Sequence, residues 1–174
     1  MSWFDSPLSR RRLATGHGLA AMLLLSGCFQ PLYGTLDGHL REELQAIAVE
    51  PIPDRLGHYL GNELIFAFNG TGSQVTPKYR LLVTVLEHVQ TPLVDTFAGR
   101  ASAATVTVDA NFQLFSINGG AVVVKGTAIS AASYDRSAQR FANTRAARDA
   151  EIRNAKTLAD QIRTRISAAL AIRP

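Results

Sequence analysis

The clearest pattern in the chain is a strict alternation. Ala104, Val106, Val108, Ala110, Phe112 and Leu114 share one parity, while Thr105, Thr107, Asp109, Asn111 and Gln113 share the other. Successive side chains of a strand point to opposite faces, so this stretch predicts a strand with one buried and one polar face. Tyr79, Leu81, Val83, Val85 and Val89 predict a second strand across about 78–90. Val122, Val124 and Ala128 carry the core-facing parity of a third across 121–134, after the hairpin signal Asn118-Gly119-Gly120. A shorter β-prone run, Ala46 to Ile52, is stopped by Pro51 and Pro53.

Two stretches have helical spacing instead. Leu56, Tyr59, Leu60, Leu64, Ala67 and Phe68 recur three and four apart, which predicts an amphipathic helix over about 53–68. Pro53 suits its first turn, where a missing N–H is no loss, and Asp54 complements the helix dipole. Asn69-Gly70-Thr71-Gly72 ends it. Ile152, Ala155, Ala159, Ile162, Ile166 and Ala169 form the seam of a long helix from about Asn143 to Ile172. Arg148, Arg153, Lys156, Arg163 and Arg165 occupy much of its remaining surface.

The predicted order is therefore β-α-β-β-β-α. Two amphipathic helices need an apolar surface, and a sheet with one apolar face supplies it. The expected fold class is α+β, a two-layer sandwich with a mainly antiparallel or mixed four-stranded sheet and two helices on one face. One domain, 44–174, holds it all. The predicted strands are long, and the polar face of the middle one is rich in Thr, Asn and Gln with few charges. A wet protein–protein contact has that composition, and so does a plain solvent-facing sheet.

Before residue 44 the pattern changes. Arg10, Arg11 and Arg12 precede an apolar run from Leu13 to Leu25, followed by Ser26 and Gly27. A basic segment, an apolar core and small residues in that order predict a signal peptide over 1–27. The apolar run falls short of the roughly 20 residues that span a bilayer. Ser9-Arg10-Arg11-Arg12-Leu13 fits a twin-arginine export signal only in part, and a plain basic n-region fits it better. Residues 28–43 contain glycine and polar residues and predict a tether with little regular structure.

Charge and cysteine usage narrow the function. The 174-residue precursor has a formal charge of +4, of which the leader supplies +2 through three Arg against Asp5, leaving +2. A nearly neutral mature chain gives no argument for nucleic-acid binding. There is one Cys, Cys28, directly after the predicted leader. A single thiol forms no internal disulfide, so an exported chain needs it for something else. Leu25-Ser26-Gly27-Cys28 resembles the lipobox of bacterial lipoproteins. That resemblance implies cleavage before Cys28, diacylglycerol on its sulfur, and an N-acyl chain such as palmitate on its new amino group. More than one acyl chain anchors stably, so the lipids replace a membrane-spanning segment. Phe29 stands where inner-membrane lipoproteins of enteric bacteria tend to have Asp, which by resemblance favours the outer membrane.

Catalytic patterns are missing. His39, His58 and His88 are widely spaced and form no metal-ligand pattern. There is no Gly-x-Ser-x-Gly elbow and no Gly-rich loop between strand and helix. The expectation is no enzyme, no catalytic residue, no metal and no cofactor beyond the covalent lipid.

Gly27-Cys28-Phe29-Gln30-Pro31-Leu32-Tyr33-Gly34 is similar to the mature start of the LptE family, lipopolysaccharide-assembly lipoproteins, in its alphaproteobacterial form. Ile52-Pro53-Asp54-Arg55-Leu56-Gly57, with Leu60, Asn62, Glu63 and Leu64, resembles the start of that family's first helix. Tyr134, Phe141-Ala142, Ala147-Arg148-Asp149-Ala150 and Leu158-Ala159-Asp160-Gln161-Ile162-Arg163 resemble its C-terminal helix. The resemblance implies a lipid-anchored, periplasm-facing outer-membrane protein. It would sit one-to-one in the lumen of the β-barrel LptD as plug and assembly partner for lipopolysaccharide insertion. A lipid-handling lipoprotein serving an inner-membrane transporter is the alternative.

Lipopolysaccharide carries phosphates, so its contact site should present basic groups. If Asn118-Gly119-Gly120 is a three-residue loop, Lys125 lies opposite Gln113 on the polar face. Arg80 and Lys78 start the preceding strand and should lie at the same end. The expected anion patch is Arg80 with Lys125, and Lys78 nearby; ordinary surface charges would give the same sequence.

Overall fold

The computed structural model describes residues 38–70, 75–91, 94–95 and 100–172, and only the backbone of 94, 95, 100 and 101. The elements are α1 (Gly38–Gln45), β1 (Ile47–Val49), α2 (Asp54–Asn69), β2 (Tyr79–Gln90), β3 (Val94–Asp95), β4 (Arg100–Ala101), β5 (Ala103–Ser116), β6 (Val122–Asp135) and α3 (Arg140–Ala171). Cys28 and the leader lie outside the described residues.

The main sheet has the order β1-β2-β5-β6. β1 runs parallel to β2, with Ile47 beside Tyr79, and the other pairs are antiparallel. β3 and β4 form a separate short pair. The fold is thus α+β with a mixed four-stranded sheet, as the alternation predicted.

The inward parity of β5 is buried throughout, from Ala104 to Leu114. Leu81 and Val83 of β2 and Ala128 and Ala132 of β6 extend that surface. Against it pack Leu56, Leu60, Leu64 and Phe68 of α2 and Ala155, Leu158, Ala159, Ile162 and Ile166 of α3. Each buried Leu, Ile or Phe stabilises by about 1.5–3 kcal/mol, so cutting Leu60 or Ile162 to Ala would cost about 2–5 kcal/mol.

Two glycines are required by close approach. A Cβ on Gly57 would stand 2.8 Å from the carbonyl oxygen of Ile52, so α2 sits closer to the end of β1 than any side chain allows. A Cβ on Gly126 would stand 3.0 Å from Phe112 Cζ, so the glycine opposite Phe112 makes room for the ring.

Several expectations change. Residues 38–45 form α1 rather than a tether, with Leu40 and Leu44 in the core. Pro53 caps α2 from outside, and the helix starts at Asp54. Val89 carries core parity but is 57% exposed, because the far end of β2 runs past the core. Ile152 is 41% exposed, and the seam passes instead through Ala150, Glu151, Asn154 and Leu158.

The β5–β6 turn also differs. Gly120 N donates to Ser116 O and Ser116 N to Ala121 O, so the turn is longer than three residues. A bulge between Leu114 and Phe115 absorbs the difference, putting Phe115 beside Val122 and leaving Gln113 beside Lys125. Phe115 has outward parity, so the bulge carries Val122 to the outer face, where it is exposed rather than in the core.

Candidate functional site

On the outer face of the sheet the register sets side chains in rows. From the α1 end these are Arg80–Phe115–Val122, Leu82–Gln113–Lys125, Thr84–Asn111–Thr127, Leu86–Asp109–Ile129, His88–Thr107–Ala131 and Gln90–Thr105–Ser133. Hydroxyls and amides of neighbouring strands bond across it: Thr127 Oγ1 donates to Asn111 Oδ1 at 2.6 Å, and the Thr105 and Ser133 hydroxyls are 2.8 Å apart. The middle strand is polar with few charges, as expected, Asp109 being the one carboxylate on its outer face. Its neighbours add Leu82, Leu86 and Ile129, all exposed, so the face is a mixed polar and apolar surface. Mixed surfaces of this kind suit protein contacts.

Arg80 and Lys125 lie on this face and at the same end, in adjacent rows. Their Cα atoms are roughly 12 Å apart by strand spacing and pleat. That distance lets two long side chains converge on one anionic group. Arg80 is placed by its neighbours: its guanidinium lies 5.6 Å from the Phe115 ring centroid, and its Nε is 3.7 Å from Glu50 Oε1. Stacking on an aromatic face leaves the guanidinium edge available for an anion. Lys125 is exposed.

Lys78 is drawn elsewhere. Its Nζ donates to Glu43 Oε1 at 2.6 Å, and Tyr79 Oη donates to Glu43 Oε2 at 2.6 Å. Glu43 belongs to α1, so Lys78 fastens α1 to the start of β2. These two hydrogen bonds hold the Glu43 carboxyl below the usual range, and the Glu43 carboxylate raises the Lys78 ammonium. The sequence reading missed Glu43 because it lay in a supposed tether.

Further polar groups are buried among the helices. Arg55 of α2 clamps Glu151 of α3, which is 4% exposed. Asn154, 1% exposed, accepts from Ser130 Oγ at 2.8 Å and donates through Nδ2 to Val106 O at 2.9 Å. Glu151 and Asn154 fall on the seam of α3, and polar residues at those spacings were the available signal. Both position elements rather than form a reaction centre. No cluster of His, Cys, Asp or Glu that could hold a metal occurs among the described residues. No described helix is long and apolar enough to cross a membrane.

A family model described as lipopolysaccharide-assembly, LptE, matches residues 44–166. The chain belongs to the LptE family. Its match spans β1 to most of α3, and so takes in the whole main sheet and the Arg55–Glu151 clamp. LptE proteins act in lipopolysaccharide assembly, and a role there follows for this chain.

Solved structures agree. A protein of Caulobacter crescentus CB15 described as a lipoprotein matches with a TM-score of 0.61 and 25% identity, over 77% of this chain and 97% of its own. Rare lipoprotein B of Shewanella oneidensis gives 0.53 and 11% identity, over 72% and 96%. A minor lipoprotein of Acinetobacter baumannii gives 0.51 and 20% identity, over 70% and 90%. The last two carry the LptE fold alone. No curated protein matches the chain in sequence.

Proposed function

We propose that this chain is a non-enzymatic outer-membrane lipoprotein. In this reading it is anchored through diacylglycerol and an N-acyl chain on Cys28 and lodges one-to-one in an LptD-type β-barrel. It helps the barrel assemble and insert lipopolysaccharide into the outer leaflet. The observation that carries the reading is the LptE match over residues 44–166. The outer face, with its neutral Thr, Asn and Gln rows, supports lodging in the polar lumen of a barrel. Lipid phosphates would be met by Arg80, held on Phe115, together with Lys125. Lys78 serves that end indirectly, since its ammonium is committed to Glu43.

Co-purification in mild detergent tests the reading. A stable one-to-one complex with the LptD-type barrel is expected, from cells in which Cys28→Ala abolishes incorporation of labelled palmitate. Fractionation with the inner membrane would sink it. The patch has its own test: Arg80→Ala with Lys125→Ala should weaken lipopolysaccharide binding several-fold and leave the barrel complex intact. Unchanged binding would reduce both residues to surface charges.

A further inference from the structure

The two edges of the main sheet are treated differently. On β6, carbonyl oxygens facing away from β5 are covered by α3. Arg153 donates to Ser133 O at 2.9 Å, Gln161 to Ile129 O at 3.0 Å, and Arg165 Nη1 to Thr127 O. Side chains at helical spacing along α3 thus close this edge against another strand.

Among the described residues the opposite edge has no such cover. β1 pairs with β2 only as far as Val49 beside Leu81, where Glu50 N donates to Leu81 O at 3.0 Å. The chain then leaves through Pro51 and Pro53 to start α2. In an antiparallel ladder, backbone groups alternate between the two neighbours. The odd-numbered residues of β6 face α3, so its even-numbered residues pair with β5. Carried across the register, the even-numbered residues of β2 pair with β5. Val83 is buried, but the N–H and C=O of Val85, Glu87 and Val89 face outward beyond β1, with no backbone partner among the described residues. Leu86 on one face and Val89 on the other are more than half exposed. An open, apolar edge is a hazard that folds otherwise blunt, as α3 does here on β6.

We propose that the edge of β2 from Val85 to Gln90 pairs with an extended segment of the barrel partner carrying a basic residue opposite Glu87. The occupant follows from charge. Glu87 faces Asp54, Arg55 and Glu151, and Arg55 already gives both its bonds to Glu151. Asp54, Glu87 and Glu151 there outnumber the one cation, Arg55, so a cation delivered beside Glu87 would be favoured. Burial and the Glu151 charge, opposed by Arg55, leave the Glu87 carboxyl above its usual range. The segment cannot be a barrel strand, because every strand of a closed barrel is already paired on both sides. It must be a loop or a terminal stretch. Partner backbone bonds would then supply affinity, and alternate side chains the register.

The proposal rests on the barrel reading above, and amide hydrogen exchange separates the two. In the free full-length protein, amides of Val85, Glu87 and Val89 should exchange fast, while those of Leu82, Thr84, Leu86 and His88 exchange slowly. In the purified barrel complex the odd-numbered amides should slow by on the order of 100-fold. Fast odd-numbered amides in a complex that does form would overturn the edge proposal and leave the barrel reading intact. Protection already present in the free protein would also overturn it, because another part of the chain or a second copy would be covering the edge. Absence of any complex would remove both. Glu87→Lys, with folding checked by circular dichroism, should lower the yield of complex at least several-fold; an unchanged yield would refute the occupant's charge.

Discussion

Arg55 and Glu151, 96 residues apart, hold α2 and α3 together: Arg55 Nε donates to Glu151 Oε2 at 2.8 Å, and Arg55 Nη2 donates to Oε1. The guanidinium is half exposed and the carboxylate buried. Both carboxylate oxygens are therefore satisfied at the point where α2 begins. Losing Arg55 leaves a buried charge without its donors. Arg55→Ala should destabilise by about 1.5–3 kcal/mol, towards the lower end because the guanidinium is partly screened by water. Urea unfolding of the two single variants and the double variant would show it. Additive losses would mean the pair is not coupled.

Gly57 and Gly61 offer a matched pair in one helix. A Cβ at Gly57 would collide with the Ile52 carbonyl, whereas at Gly61 the nearest atom is Ile52 Cδ1 at 4.0 Å, an ordinary contact. Gly57→Ala should cost about 1–3 kcal/mol through displaced backbone. Gly61→Ala should stabilise by about 0.5–1 kcal/mol through helix propensity. Melting temperatures moving in the same direction would contradict the packing described.

Asn154 and Ser167 are both buried polar residues of α3, in opposite situations. Asn154 is bonded to Ser130 and Val106, while Ser167 Oγ has no hydrogen-bond partner among the described residues. Asn154→Ala strands the Ser130 hydroxyl, while Val106 O keeps its ladder bond to β6, and should cost about 2–4 kcal/mol, cavity included. Ser167→Ala removes an unsatisfied hydroxyl and should be neutral or stabilising by up to about 1 kcal/mol. Equilibrium denaturation of the two variants decides it.

Two carboxylates should shape the pH profile with opposite signs. Glu43 is depressed in the fold by the Lys78 and Tyr79 hydrogen bonds, so its stabilisation is present above its ordinary value of 4.5 and fades as pH falls through the lower folded value. Glu87 is raised by burial and by Glu151. The fold therefore favours its protonated form, and stability is lost as pH climbs from 4.5 through the higher folded value. Glu87→Gln should raise the melting temperature at pH 7 and lose that advantage near pH 4. Glu43→Gln should lower it at pH 7 and converge with the parent in acid.

Much of the fold is legible in the chain because alternation and helical spacing are local. β5 can be read residue by residue, and the family resemblance rests on contiguous segments. α1 is harder: it is too short to form on propensity, and it depends on burying Leu40 and Leu44 and on the Glu43 bonds to a distant strand. The Lys125 position was read from a shorter turn than the one observed. It survived because the bulge at Leu114 and Phe115 restores the register, while Val122 changed face.

By itself the sequence determined the α+β class, the parity of the three long strands and the placement of Arg80 and Lys125 at one end. Each is a periodicity or a hairpin register, set by neighbours a few residues apart. Tertiary structure decided which charges remain available and which edge stays open. Lys78 is committed to Glu43, Glu151 to Arg55, and α3 covers β6 while nothing described covers the edge of β2 beyond Val83. Those outcomes depend on groups that meet only when the helices fold back over the sheet, and no local pattern encodes such meetings.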